Sequence, residues 1–196
     1  MGRTGAGKSS LIQALFRLLE AESGSICIDG LDIGEIELER LRASLAIIPQ
    51  EPFIFHGTVR ENLDPSAEFE DTQIWDCLAQ TGLFSTAASM PDGLDTIVGS
   101  EGGKLSEGHR QLLALARAFL SGAKIVVLDE ATSAIDKQTE RLIQQTLRGE
   151  SFAEKTLIII AHRLDTIAHC HRIVTLQDGQ IVGVDEPRDV LDDIVD

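Results

Sequence analysis

MGRTGAGKSSLIQAL, Met1 to Leu15, is the stretch whose reading decides the fold. Within it, Gly2 to Ser9 fits the spacing G-x-x-x-x-G-K-[ST] of a phosphate-binding loop. Glycines at 2, 5 and 7 permit backbone conformations that a Cβ blocks, so successive N–H groups can converge on one anion. The helix that follows adds about half a positive charge at its N-terminus. In such a loop Lys8 bridges the β- and γ-phosphates and the Ser9 hydroxyl holds Mg²⁺. The loop is ordinarily the bend between a buried strand and a helix, and here no residue precedes Met1 to make that strand.

The chain has 196 residues, enough for one domain with a real core, and its 43% apolar content is ordinary for a soluble globular protein. A net charge of −15 argues against a nucleic-acid partner, which would call for a basic face. Apolar runs such as Leu157–Ala161 fall far short of the roughly 20 residues that span a bilayer, and no signal-peptide pattern is present. Cys27, Cys77 and Cys170 are scattered and lack ligand spacing, which suits a reducing compartment. His169-Cys170-His171 reads as a polar turn before a strand rather than a metal site.

Helical spacing of Leu11, Leu15 and Leu18 predicts a helix over Ser9–Glu20. Asp29-Gly30 and Asp178-Gly179 each sit between strand-like runs and predict two hairpins. Further helices are expected at Leu38–Ser44, Asp71–Leu83, Ser106–Leu120 and Gln138–Leu147, with a glycine-rich loop over Asp92–Lys104. Continuous apolar strands at Leu45–Pro49, Ala123–Leu128 and Thr156–Ile160, separated by helices, indicate an α/β fold with a parallel sheet covered on both faces.

Ile125–Glu130 reads IVVLDE, which puts Asp129 at the edge of such a sheet, where ligands bind. There Asp129 would orient Mg²⁺ and Glu130 could take a proton from an attacking water; taken alone such a pair is more often a helix cap, and the phosphate loop beside it reverses that reading. In Lys104–Leu120, Ser106 can cap the helix while the exposed N–H groups meet an anion, with Leu112, Leu115, Ala116 and Phe119 as its buried stripe.

LSEGH at Leu105–His109, shortly before IVVLDE, resembles the LSGGQ signature of ATP-binding cassette (ABC) proteins. IIPQEP with Gln50 looks like the Q-loop, Ser133-Ala134-Ile135-Asp136 like the D-loop, and AHRL with His162 like the switch histidine. HGTVRENLDP and IVTLQDGQIVGVDEP resemble the nucleotide-binding domain of exporters, and ENLDP with Gly93-Leu94-Asp95-Thr96 is similar to the C-terminal cassette of the C-subfamily, multidrug-resistance-protein group. The resemblance covers essentially the whole chain. It implies a P-loop NTPase of ABC type, lacking the N-terminal strands, with a helical subdomain at about residues 60–120 that ends in the signature helix.

By that resemblance Gly2, Thr4, Gly5, Ala6, Gly7, Lys8, Ser9 and Ser10 would wrap ATP, with Ser9, Gln50 and Asp129 toward Mg²⁺. Glu130, His162 and Gln50 would be catalytic, and Leu105, Ser106, Glu107, Gly108 and His109 would meet ATP held by a second cassette packed head to tail. The implied partners are that cassette and the transmembrane domains of an exporter, at the cytoplasmic face of a membrane. The missing strands and the absence of any Tyr to stack on adenine suggest a truncated fragment; a non-catalytic nucleotide-binding interaction module is the alternative. The signature departs from the pattern, with Glu107 at a usual glycine and His109 at a usual glutamine. A carboxylate beside a γ-phosphate is repulsive, so the site completed by this signature is expected to be the weaker of a pair. Glu107→Gly combined with His109→Gln should raise steady-state turnover in the assembled transporter; an unchanged rate would count against that ranking.

Overall fold

The computed structural model describes residues 1–99, 105–129, 136–160 and 168–189. Along the chain run α1 (Lys8–Leu15), β1 (Cys27–Ile28), β2 (Leu31–Asp32), α2 (Leu38–Ala43), β3 (Leu45–Ile48) and β4 (Gly57–Thr58). Then come α3 (Val59–Leu63), α4 (Asp71–Gln80), α5 (Phe84–Ala88), β5 (Ile97–Val98), α6 (Glu107–Leu120) and β6 (Ile125–Asp129). α7 (Lys137–Arg148), α8 (Glu150–Ala153), β7 (Thr156–Ile160), β8 (Ile173–Gln177) and β9 (Gln180–Asp185) follow. The elements alternate as an α/β fold and divide into two compact units, Met1–Leu45 with Ile158–Asp196, and Ala46–Leu157.

In the first unit α1 stops at Leu15, short of the expected Glu20. Arg17 turns left-handed, with φ 49, and its N–H donates to Ala14 at 3.0 Å while Leu18 donates to Gln13 at 2.8 Å. That pair of bonds closes a helix and satisfies its last carbonyls. The turn persists without glycine because the Arg17 guanidinium is itself anchored on the Ile33 and Ile36 carbonyls, at 3.0 and 2.9 Å. Leu18, periodic in sequence, is left exposed. Both hairpins form where expected: β1 pairs with β2 around Asp29-Gly30, and β8 with β9 around Asp178-Gly179. In each the Asp and the Gly both have positive φ, the geometry that matches strand twist in a two-residue turn.

In the second unit β6 is central in the strand order β3-β6-β7, and Thr156 N–H donates to Lys124 O at 2.8 Å. Val126, Val127 and Leu128 of β6 are buried, as a strand covered on both faces requires. The helix expected over Asp71–Leu83 ends at Gln80, closed by Gly82 N–H to Ala79 and Leu83 N–H to Leu78 at 3.2 and 2.8 Å. Part of the stretch expected as glycine-rich loop is ordered as β5, antiparallel to β4 in the register Gly57↔Val98 and Thr58↔Ile97. Short helices α3, α5 and α8 had no strong periodicity to announce them.

α6 is the spine of this unit. Ser106 caps it, accepting from His109 N–H at 3.2 Å. Its buried face is wider than the expected stripe: Leu113, Ala114, Ala118 and Leu120 join Leu112, Leu115 and Ala116, whereas Phe119 is only half-buried against Phe152. Cys77 of α4 lies under it, donating to Ala116 O at 3.3 Å, and burial pushes the thiol up to about 12. Arg60 of α3 pairs with Asp71 and Asp95 at the surface and holds the Asp71 carboxyl below its usual range. Leu115 is 1% exposed and Leu11 50% exposed. Leu115→Ala should cost about 2–5 kcal/mol in urea unfolding, and Leu11→Ala less than about 0.5 kcal/mol; equal shifts would contradict this core.

Candidate functional site

The phosphate loop belongs to the first unit, and distant chain pins it. Met1 donates its amino group to Val174 O and accepts from Leu176 N–H at 2.9 Å, flanking Thr175 in the pattern of a parallel pairing. Gly2, at φ 151, passes so close to β8 that a Cβ would lie 2.4 Å from the Leu176 carbonyl oxygen. Gly179 N–H, in the β8–β9 turn, donates to Ala6 O at 3.2 Å, and Ala6 N–H closes onto Arg3 O at 3.1 Å. Gly7 then enters α1 in a left-handed conformation, φ 97, with no capping side chain.

An uncapped helix start leaves the first-turn N–H groups of Lys8, Ser9 and Ser10 without intrahelical acceptors. The Lys8 ammonium folds over the same loop, donating to the Gly2 and Arg3 carbonyls at 2.6 and 3.0 Å. Thr4, Gly5, Ser9 and Ser10 are exposed around it, and Ala6 is the buried floor. Donors and a cation gathered on one concave turn suit a polyphosphate. Of the expected ATP-binding residues, Gly2 to Ser10 are thus brought together.

The second unit carries the segments expected as signature and Q-loop. Gly108 is buried against α7, where a Cβ would meet Thr139 Cγ2 at 2.8 Å. Glu107 sits in the first turn of α6, a place the helix dipole favours for an acid. The His109 ring lies between two hydroxyls, Nδ1 3.0 Å from Ser106 Oγ and Nε2 3.3 Å from Thr86 Oγ1. Asp129 ends β6, half-buried. Asp136, the last residue of the expected D-loop, is the cap of α7: its carboxylate accepts from the N–H groups of Gln138 and Thr139 and, at 2.6 Å, from the Thr139 hydroxyl. The Thr139 bonds hold that carboxyl below its usual range. Glu130, Ser133, Ala134, Ile135 and His162 lie outside the described residues.

Three residues that the sequence reading passed over organise the Q-loop. Gln111 of α6, 2% exposed, donates through Nε2 to Gln50 O at 2.7 Å and toward Pro49 O at 3.4 Å. Arg117 donates to Asn62 O at 2.6 Å and to Phe53 O at 3.3 Å, and stacks 5.5 Å above the Phe55 ring. Asn62 is fully buried; its Oδ1 accepts from Phe55 N–H and its Nδ2 donates to the Phe55 and Thr58 carbonyls. The available signal was polar residues inside an apolar helical stripe, which need partners when buried.

With this geometry in hand, the chain can be set beside known proteins. The family description "ABC transporter" matches residues 1–133. The chain is 51% identical over 187 residues to the ATP-binding cassette sub-family C member 10 of Mus musculus, covering 95% of this chain and 12% of that protein. It is 50% identical over 194 residues to the metal resistance protein YCF1 of Saccharomyces cerevisiae, covering 98% of this chain and 13% of that one. Human ATP-binding cassette sub-family C member 2 is 50% identical over 191 residues, with 97% and 12% covered. The chain therefore spans about an eighth of the length of these relatives. Among solved structures, a bacterial Atm1-family ABC exporter with ATP bound superposes with a TM-score of 0.89 at 36% identity, covering 98% of this chain and 34% of that one.

Arg117→Met keeps the length of the side chain and removes its donors. It should cost about 1.5–3 kcal/mol, as charged hydrogen bonds do, and speed exchange of the Phe55 amide; protection equal to wild type would show that the Q-loop holds without the guanidinium.

Proposed function

Because this chain belongs to the ABC transporter family, we propose that it is the ATPase cassette of an exporter, gripping ATP on its phosphate loop and completing a second site with a partner cassette. The observation that carries the proposal is the loop itself, an uncapped helix start under a folded-over lysine, pinned by β8 and the turn after it. The similarity to an exporter with ATP bound supports it. So do the C-subfamily relatives.

In this reading Thr4 to Ser10 surround the triphosphate and Lys8 leaves its own carbonyls to bridge the β- and γ-phosphates. Ser9, Gln50 and Asp129 would hold Mg²⁺, which neutralises phosphate charge. Glu130 takes the proton of the water that attacks the γ-phosphate, and His162 steadies the γ-phosphate beside it. Ser106, Gly108 and the neighbouring N–H groups meet ATP held by the partner, so one cassette presents two half-sites. Residues from about 60 to 120 would form the helical subdomain that ends in the signature helix, and the Gln50 loop ahead of it would face the transmembrane domains. The cassette works at the cytoplasmic face of the membrane; among the described residues no helix is long and apolar enough to cross it.

Lys8→Ala should abolish ATP binding. Glu130→Gln should keep binding and lower turnover by about 10²–10⁴-fold, the usual worth of a general base. Intact turnover in both would end the proposal, and binding without turnover in the wild type, measured with the partner cassette present, would favour an interaction module.

A further inference from the structure

We infer that His109 is a positioning residue whose charge state decides whether the signature serine can offer its proton to a phosphate, an inference that rests on reading Leu105–His109 as the segment that meets a partner's ATP. Ser106 Oγ has one proton and two lone pairs. One lone pair is taken by the His109 backbone N–H at 3.2 Å. The other side of the hydroxyl faces His109 Nδ1 at 3.0 Å. We assign the neutral ring the tautomer protonated at Nε2, with Thr86 Oγ1 at 3.3 Å as its acceptor. In the neutral ring Nδ1 is then an acceptor and claims the Ser106 proton. An incoming phosphate oxygen meets only lone pairs. The imidazolium carries N–H on both nitrogens: Nδ1 donates to Ser106 Oγ, Nε2 still donates to Thr86, and the serine proton is released toward the phosphate. The positive ring adds attraction at a helix N-terminus that already favours anions.

Among the described residues, the ionisable groups around the ring lie on α6 and α7. On α6 its charged neighbours in sequence are Glu107 and Arg110; α5, which brings Thr86, contributes Phe84, Ser85, Ala87 and Ala88, with nothing ionisable. α7, which touches Gly108 through Thr139, begins with Asp136, Lys137 and Glu140. α3 and α4 engage the other end of α6, at Arg117 and Ala116.

The test uses the full chain with the β,γ-imido analogue of ATP and Mg²⁺. Binding to the phosphate loop is read by displacement of a fluorescent nucleotide, and pairing of cassettes by sedimentation, from about pH 5.5 to 8.5, the range where histidine titrates. In the wild type, pairing should tighten by about tenfold toward the acid end, over and above any slope shared with the variants; one protonation unit of linkage gives that factor. His109→Phe removes both nitrogens and should lose this excess slope. His109→Asn, which keeps an amide near the Nδ1 position, should lose it too, and it carries the test if the Phe variant fails to fold by thermal melting. The same slope in wild type and variants, with analogue bound, overturns the role of His109 alone. No analogue bound at any pH overturns the ATPase reading and this inference with it.

Discussion

A guanidinium keeps its charge when buried, so a protein that buries one must answer its donors. Arg117 imposes that condition on the second unit. Burial pulls its pKa down, yet it stays a cation, and the Asn62 and Phe53 carbonyls and the Phe55 ring are arranged around it. Because Arg117 and Gln111 project from the same helix, the segment from Pro49 to Asn62 takes its course from α6. The helix that displays Ser106 at one end therefore fixes the backbone of Gln50 along its flank. Two motifs far apart in sequence share one rigid support.

Ser106 also carries two demands at once. As the cap of α6 it satisfies the His109 N–H, a contact typically worth about 1 kcal/mol. In the proposed function it would also have to turn its hydroxyl outward to an anion. Asp136 shows a parallel economy: this aspartate, expected to close the D-loop, is the cap of α7, and Thr139, which it binds, is what Gly108 packs against. Stability and recognition are written on the same atoms, and substitutions here will move both.

Much of this was legible in the sequence because the signals were local. The two Asp-Gly turns, the glycine spacing of the phosphate loop, the Ser106 cap and the strand at Thr156–Ile160 each depend on a few adjacent residues. The failures were tertiary. α1 ended early because Arg17 found carbonyls at Ile33 and Ile36, which no periodicity of leucines could reveal. The supposed loop over Asp92–Lys104 gained strand β5 because β4 lay beside it. Asn62, read only as part of a family-like segment, proved to be a buried hub. The bonds of the His109 ring depend on Thr86, a residue with no signal of its own.

The pinning of residues 1–6 by residues 174–179 bears on the order of events during synthesis. A ribosome adding about 5–20 residues per second delivers the phosphate loop first and its clamp many seconds later. Until β8 emerges, the glycine-rich turn is a tether without an anchor, and its shape must wait for long-range closure, the slow kind of step in folding. Damage to the β8–β9 hairpin would then surface as a nascent chain that cannot take up nucleotide, although every residue of the loop is intact.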